Sequence, residues 1–450
     1  MKRFAALALV CVAACAPLPD TSDAPEPTLL VFPEMRSFDT PTPTPAQRPN
    51  SEIAADFLDL AFQMENGQPL PVLTRFEQPI TVRTSGNIPA SMARDLDLLL
   101  ARLRSESGID ISRSTASDAN IVIELVASAQ MKRAAPTAAC FVVPRVQSWS
   151  ELQRSRRNGA LDWATLTTRV HAAIFIPSGI PPQEARDCMH EELAQALGPL
   201  NDLYRLPDSV YNDDNIHAVL TGFDTLILRA FYDDQLQSGM TRAQVAARLP
   251  GILARINPRG QRGGGQVPTV TPRAWITAME TALSNQNRPT SRRNAAARAI
   301  DIGTQIGWSG PRAGFAYYVY GRLQISNDAS NALRSFNTAF RLFSQSSTTD
   351  IHAAHVAVQL AAATLISGDA QTTIRIVDQA IPIAQRHENA ALLAQLMMFK
   401  AEALDMQGDT DAGAALRLDS LAWGRYGFGS RDEVIDRLNE IASLARAEPS

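Results

Sequence analysis

A glycine- and proline-rich stretch, GQRGGGQVPTVTP at residues 260–272, divides this chain into two parts with different periodicities. Before it, short apolar runs with strand character alternate with amphipathic helical patterns. After it, only helical spacing remains. The division predicts an α+β domain followed by an all-α one. The three glycines at 263–265 are not followed by Lys-Ser or Lys-Thr, so they do not make a phosphate loop. They read as part of a linker over 257–272.

In the first part, residues 51–256, QPITVRT at 78–84 reads as a strand and 88–105 as a helix. Pro89 suits the start of that helix, and Leu96, Leu99, Leu100 and Leu103 share its core face. Further strands are expected at 109–111, 119–127, 139–144 and 168–177, together forming a mixed sheet. A second helix should run from Pro181-Pro182 to 197, and a third should begin at Thr241. In the second part, 273–447, helices are expected at about 273–285, 291–306, 311–323, 329–343, 350–366, 371–386, 389–406 and 410–421. Turn signals recur at Asn327-Asp328, Gly368-Asp369 and Gly408-Asp409, spaced by 41 and 40 residues. This is a solenoid-like signature, similar in a loose way to the tetratricopeptide family. Such a surface is expected to bind an envelope protein or peptide.

The N-terminus carries an address. Met1-Lys2-Arg3 precedes an apolar run over 4–14, too short to span a bilayer, which needs about 20 residues. Val12-Ala13-Ala14-Cys15 resembles a bacterial lipobox. That resemblance implies a signal peptide over 1–14, lipidation of Cys15, and a periplasm-facing chain anchored in the membrane. Ala16 after the cysteine implies the outer membrane. Residues 17–50 hold nine prolines, so 15–50 is expected to be a disordered tether. With Cys11 removed and Cys15 lipidated, Cys140 and Cys188 remain as a candidate disulfide in an oxidising compartment. The net charge is −4 and lysine occurs only at 2, 132 and 400, which argues against nucleic acid as a partner.

The second helix carries EELAQALGPLND at 191–202. Glu191 and Gln195 share one face, Glu192 is adjacent, Gly198 can end the helix, and Asn201 can return beneath it. The run aligns with the metzincin signature HExxHxLGxxH, with Glu192 at the catalytic glutamate. Glu191, Gln195 and Asn201 stand at the three histidine ligands. DSVY at 208–211 resembles the matrixin Met-turn, and LTGFDTLILRAFY at 220–232 a following matrixin segment that includes Asp224 and Tyr232. The whole chain also resembles a proteobacterial lipoprotein family known by its domain of unknown function 2927. Its EExxQxLGxxND run and following DSxxxDD are both present here, the latter as 208–214.

These resemblances imply a zincin-like domain with an active-site-type helix but without imidazole ligands. Zinc would lack its usual donors. The expected role of Glu191, Gln195 and Asn201 is a buried polar network, with Asp202 a structural residue and Asp208, Asp213 and Asp214 turn and capping residues. His190 points away from the ligand face, and His217 could approach from the loop. The leading expectation is a non-catalytic envelope lipoprotein, a pseudoenzyme with no cofactor. The alternative is a hydrolase using Glu192 with calcium, magnesium or manganese held by Glu191, Gln195 and Asn201.

Overall fold

The computed structural model of the protein describes residues 32–39, 43–136, 138–156, 159–261, 265 and 269–446. The signal segment, Cys15 and much of the tether lie outside these residues, as do parts of the linker. From Pro33 onward the chain forms one compact unit.

The first part contains α1 (Asn50–Ala61), β1 (Ile80–Ser85), α2 (Ala90–Ser107), β2 (Ile111–Arg113), β3 (Ile121–Ala127) and α3 (Ser128–Ala134). It continues with β4 (Phe141–Pro144), α4 (Trp149–Ser155), β5 (Ala172–Ser178), α5 (Pro182–Leu197), α6 (Gly222–Phe231) and α7 (Arg242–Ile256). The strands form one mixed sheet in the order β2-β1-β3-β5-β4. The first four of these are parallel, and β4 alone runs antiparallel, pairing Val142 with Ile174. Alternation along β5 sends Ile174 and Ile176 into the main core and Ala173 and Phe175 into a smaller one under α3 and α4. The main core receives Leu96, Leu99, Leu100 and Leu103 of α2 and Met189 and Leu193 of α5.

The strands expected at 78–84, 119–127, 139–144 and 168–177 are present, and the one expected at 109–111 begins only at Ile111. Several helices were not expected. α1 begins where the tether was thought to end, and α6 is fixed by a reciprocal capping box between Thr221 and Asp224. Residues 33–39 and 43–49, expected within the tether, lie against the folded chain. Phe38 stacks on Trp423 with ring centroids 4.7 Å apart, the Arg36 amide donates to Ala422 O at 3.1 Å, and Arg48 pairs with Asp56 and Asp208. Aromatic and arginine side chains give these stretches something to bury, which proline content alone does not reveal.

The second part is helical throughout its described residues: α8 (Arg273–Leu283), α9 (Pro289–Gln305), α10 (Pro311–Gln324), α11 (Ala329–Phe343) and α12 (Asp350–Ile366). α13 (Ala370–Arg386), α14 (Ala390–Met406), α15 (Thr410–Gly427) and α16 (Arg431–Ala445) follow, the last not expected from the sequence. From α8 to α15 each helix packs on the next, while α16 rests on α12, α14 and α15. The repeated turn signals act as the sequence implied. Gly368 and Gly408 take positive φ, and the next residues, Asp369 and Asp409, cap α13 and α15 through their carboxylates. Asp328 caps α11 in the same way.

α5 joins the two parts. Its Gln183 donates to Asn389 Oδ1 (3.1 Å) and accepts from the Ala391 amide (3.0 Å). Buried Arg186 donates to Glu388 O at 2.5 Å and lies 5.4 Å from the Tyr426 ring, whose hydroxyl donates to Asp95 of α2 at 2.6 Å. Tyr204 packs edge-on against Trp275 of α8.

Candidate functional site: an acid-lined cleft beside the motif helix

The edge strand β4 and helix α5 form two walls of a cleft of about 610 Å³. The Cys140–Cys188 disulfide ties those walls together, with Cα atoms 6.0 Å apart. The loop after α1, at Met64–Asn66, and the returning chain at 200–217 complete it. Seven carboxylates line the cleft: Glu65, Glu184, Asp187, Glu191, Glu192, Asp202 and Asp213. Among the described residues, no lysine or arginine lines it.

Charge crowding and burial shift these acids upward. Burial, with Glu65 and Asp213 beside it, pushes Glu191 up to about 7. Burial, with Glu65 and Glu280, does the same to Asp213. Asp187 is pushed to about 8, chiefly by burial, although Arg186 pulls it back. Glu192 and Asp202 lie well above the usual carboxylate range, from burial first and then from their acidic neighbours. Asp202 also shares a hydrogen bond with Glu65. Glu192 is 4% exposed; the Val142 backbone amide holds its carboxylate, but its Oε2 has no partner.

Gln195 and Asn201 are buried, and both amides are engaged. Gln195 Nε2 donates to Asp202 Oδ2 at 3.4 Å, and Asn201 Nδ2 donates to Asp59 O of α1 at 3.0 Å. These bonds tie the end of α5 to the returning chain and to α1. His190 is buried on another face, where its Nδ1 accepts from the Leu220 amide at 3.1 Å. His217 lines the cleft but gives its Nε2 proton to Pro207 O at 2.8 Å; burial pushes it down to about 4. The zinc that the metzincin signature implies does not fit this donor set. The aligned positions offer one carboxylate and two amides whose nitrogens are committed elsewhere. Among the described residues, no three His, Cys, Asp or Glu side chains stand together as a metal site.

The end of α5 is held by residues that the motif does not contain. Buried Arg169 donates to Gln195 O (2.6 Å), Ala196 O (2.7 Å) and Gly198 O (2.5 Å), and stacks 4.8 Å from the Trp163 ring. Tyr232 donates its hydroxyl to Leu197 O at 2.9 Å. Carbonyls that a helix terminus leaves unpaired are thus satisfied by side chains. Gly198 does not take a left-handed conformation, its φ being −171°. Its requirement is space, because a Cβ there would lie 2.9 Å from the Phe231 ring.

The acidic loops are structural in part. Asp224 accepts from Ser209 Oγ (2.5 Å), Val210 N (3.2 Å) and Thr221 N (2.7 Å). Asp208 pairs with Arg48. Asp214 accepts from the Ile216 amide and from His352 of α12. Asp213, by contrast, faces the cleft. Sequence reading missed Glu65, Glu184, Asp187, Trp163 and Arg169, none of which has a local pattern that marks it.

The site and fold define an α/β domain with an acidic cleft, fused to a helical array. Over residues 50–251 the chain matches the family described as Protein of unknown function (DUF2927), a segment running from the first residue of α1 into α7. No curated protein matches the chain.

Proposed function

We propose that this chain is a non-catalytic binding protein of the cell envelope, anchored through a lipid on Cys15. Its α/β part is a degenerate zincin-like scaffold, and its helices present a surface for an envelope protein or peptide. The observation that carries this reading is the commitment of Gln195 and Asn201 to Asp202 and Asp59. Residues at two of the three ligand positions serve as internal struts. The mixed sheet, with its antiparallel edge strand facing the motif helix, supports the zincin-like assignment. Glu192 remains where a general base would stand. A base contributes little without a polarised water, and the three imidazoles that would hold a zinc are replaced by Glu191, Gln195 and Asn201.

The lipid anchor rests on the lipobox at 12–15. No described helix is long and apolar enough to cross a membrane. The folded part faces the periplasm in this reading, with the outer membrane as the site of anchorage. The test is a digest of a peptide library by the purified protein, read by mass spectrometry, with metal analysis of the same sample. Intact peptides and no stoichiometric zinc are expected. Cleavage that disappears in Glu192→Gln, with one zinc per chain, would overturn the proposal.

A further inference from the structure

Seven carboxyl groups of the described residues line the cleft, and no lysine or arginine among the described residues lines it with them. Of the arginines nearby, Arg169 is spent on the carbonyls of α5 and Arg205 on Asp56 and Asp59, while Arg186 bonds Glu388 and stands 3.7 Å from Asp187. Glu192 is nine-tenths buried and more, lines the cleft, and keeps Oε2 without a donor. Asp202, across the cleft, has an unpartnered buried Oδ1. A buried acceptor left unsatisfied in the free protein is a place for a donor from outside.

The rest of the lining narrows the kind of donor. Met64, Val142, Leu200 and Trp163 supply apolar surface next to the acids. A ligand with an alkyl stem and a cationic N–H head matches that pairing of surfaces. A bare metal ion does not, because the carboxylates are not gathered into a coordination shell.

We propose that the cleft is a receptor for an alkyl ammonium or guanidinium group, such as a lysine or arginine side chain, with Glu192 and Asp202 as acceptors and Glu65 at the rim. This deepens the binding-protein reading and rests on it.

The test uses the detergent-solubilised full chain at pH 8 and low salt, with isothermal titration calorimetry. The probes are acetyl-Ala-Lys-Ala-amide, its arginine and norleucine counterparts, 1,5-diaminopentane and calcium chloride. The lysine and arginine peptides are expected to bind one per chain, and the uncharged norleucine peptide not to bind. Binding of the diamine with equal strength would identify a small amine as a sufficient ligand; binding of the peptides alone would identify a polypeptide. Glu192→Gln and Glu65→Gln should each weaken binding at least tenfold. Glu65 is exposed, so its replacement keeps the test valid if Glu192→Gln fails to fold. No saturable binding by any amine, unchanged binding in both variants, or calcium binding that displaces the amines would overturn the inference. Mass spectrometry of the recovered peptide separates the two readings. An intact, bound peptide supports both, and an intact, unbound one sinks the receptor alone. A bound and cleaved peptide sinks the non-catalytic reading and keeps the receptor.

Discussion

Replacing Arg169 should unfasten the end of the motif helix. Its guanidinium makes three bonds to backbone carbonyls at 2.5–2.7 Å. Hydrogen bonds to charged groups contribute about 1.5–3 kcal/mol each. Burial opposes this, pushing Arg169 down to about 10, and removing the charge returns that desolvation cost. The Gln195 carbonyl keeps a second donor in the Gly198 amide. The Ala196 and Gly198 carbonyls would be left short of a donor, at about 1–3 kcal/mol each. Two carbonyls at that rate amount to about 2–6 kcal/mol, so Arg169→Met should destabilise by about 2–6 kcal/mol while filling most of the volume. Arg169→Lys keeps the charge but offers one compact head to three acceptors, so a loss of roughly half that is expected. Urea unfolding followed by circular dichroism and tryptophan fluorescence measures both. If Arg169→Met stays within about 1 kcal/mol of the wild type, the helix end does not depend on this clamp and the reasoning is wrong.

Four further outcomes follow from the structure and sequence. Cys15→Ala should leave the chain unlipidated and outside the membrane fraction; unchanged mature mass and fractionation would refute the lipobox. Reducing the Cys140–Cys188 bridge, which closes 48 residues of separation, should cost roughly 4 kcal/mol by loop entropy, measured as a lower urea midpoint in dithiothreitol. Asn201→Ala, which leaves the partly buried Asp59 carbonyl without this donor, should cost about 1 kcal/mol or somewhat more; a neutral result would count against the strut. Glu191 has its native pKa raised from 4.5 to about 7, so its stabilising contribution is full below 4.5 and fades as pH rises towards 7. Glu191→Gln should therefore gain stability relative to wild type between pH 5 and 8, by up to about 3 kcal/mol. The difference between the two proteins is the readout, because the buried His217, pushed down to about 4, produces an opposite slope in both. A flat difference would refute the assignment.

The helical array was legible because its punctuation is chemical and local. A glycine at positive φ and an aspartate cap mark a turn whatever lies around them. β3 and β5 were legible from their apolar runs. α16 and α1 were not, although Ser430 and Glu433 form a capping box at the start of α16. α1 followed directly on proline-rich sequence that dominated the reading. The motif fixed the place of the cleft but not its character. Glu65, Glu191 and Asp213 meet only through the fold, and Arg169 finds backbone carbonyls, which every residue possesses and no sequence pattern distinguishes.

The seam between the two parts has a consequence for heredity. The matched family segment ends at residue 251, yet Asp95, Gln183 and Arg186 within it are bonded to Tyr426, Asn389 and Glu388 beyond it. A recombination crossover between α7 and α8 would hand a descendant one partner of each bond. The buried guanidinium of Arg186 would keep Asp187 but lose the Glu388 carbonyl, and few foreign helical arrays would offer it a replacement at the right place. Lineages should therefore carry both halves together, and substitutions at 183 and 186 should be tied to those at 388 and 389.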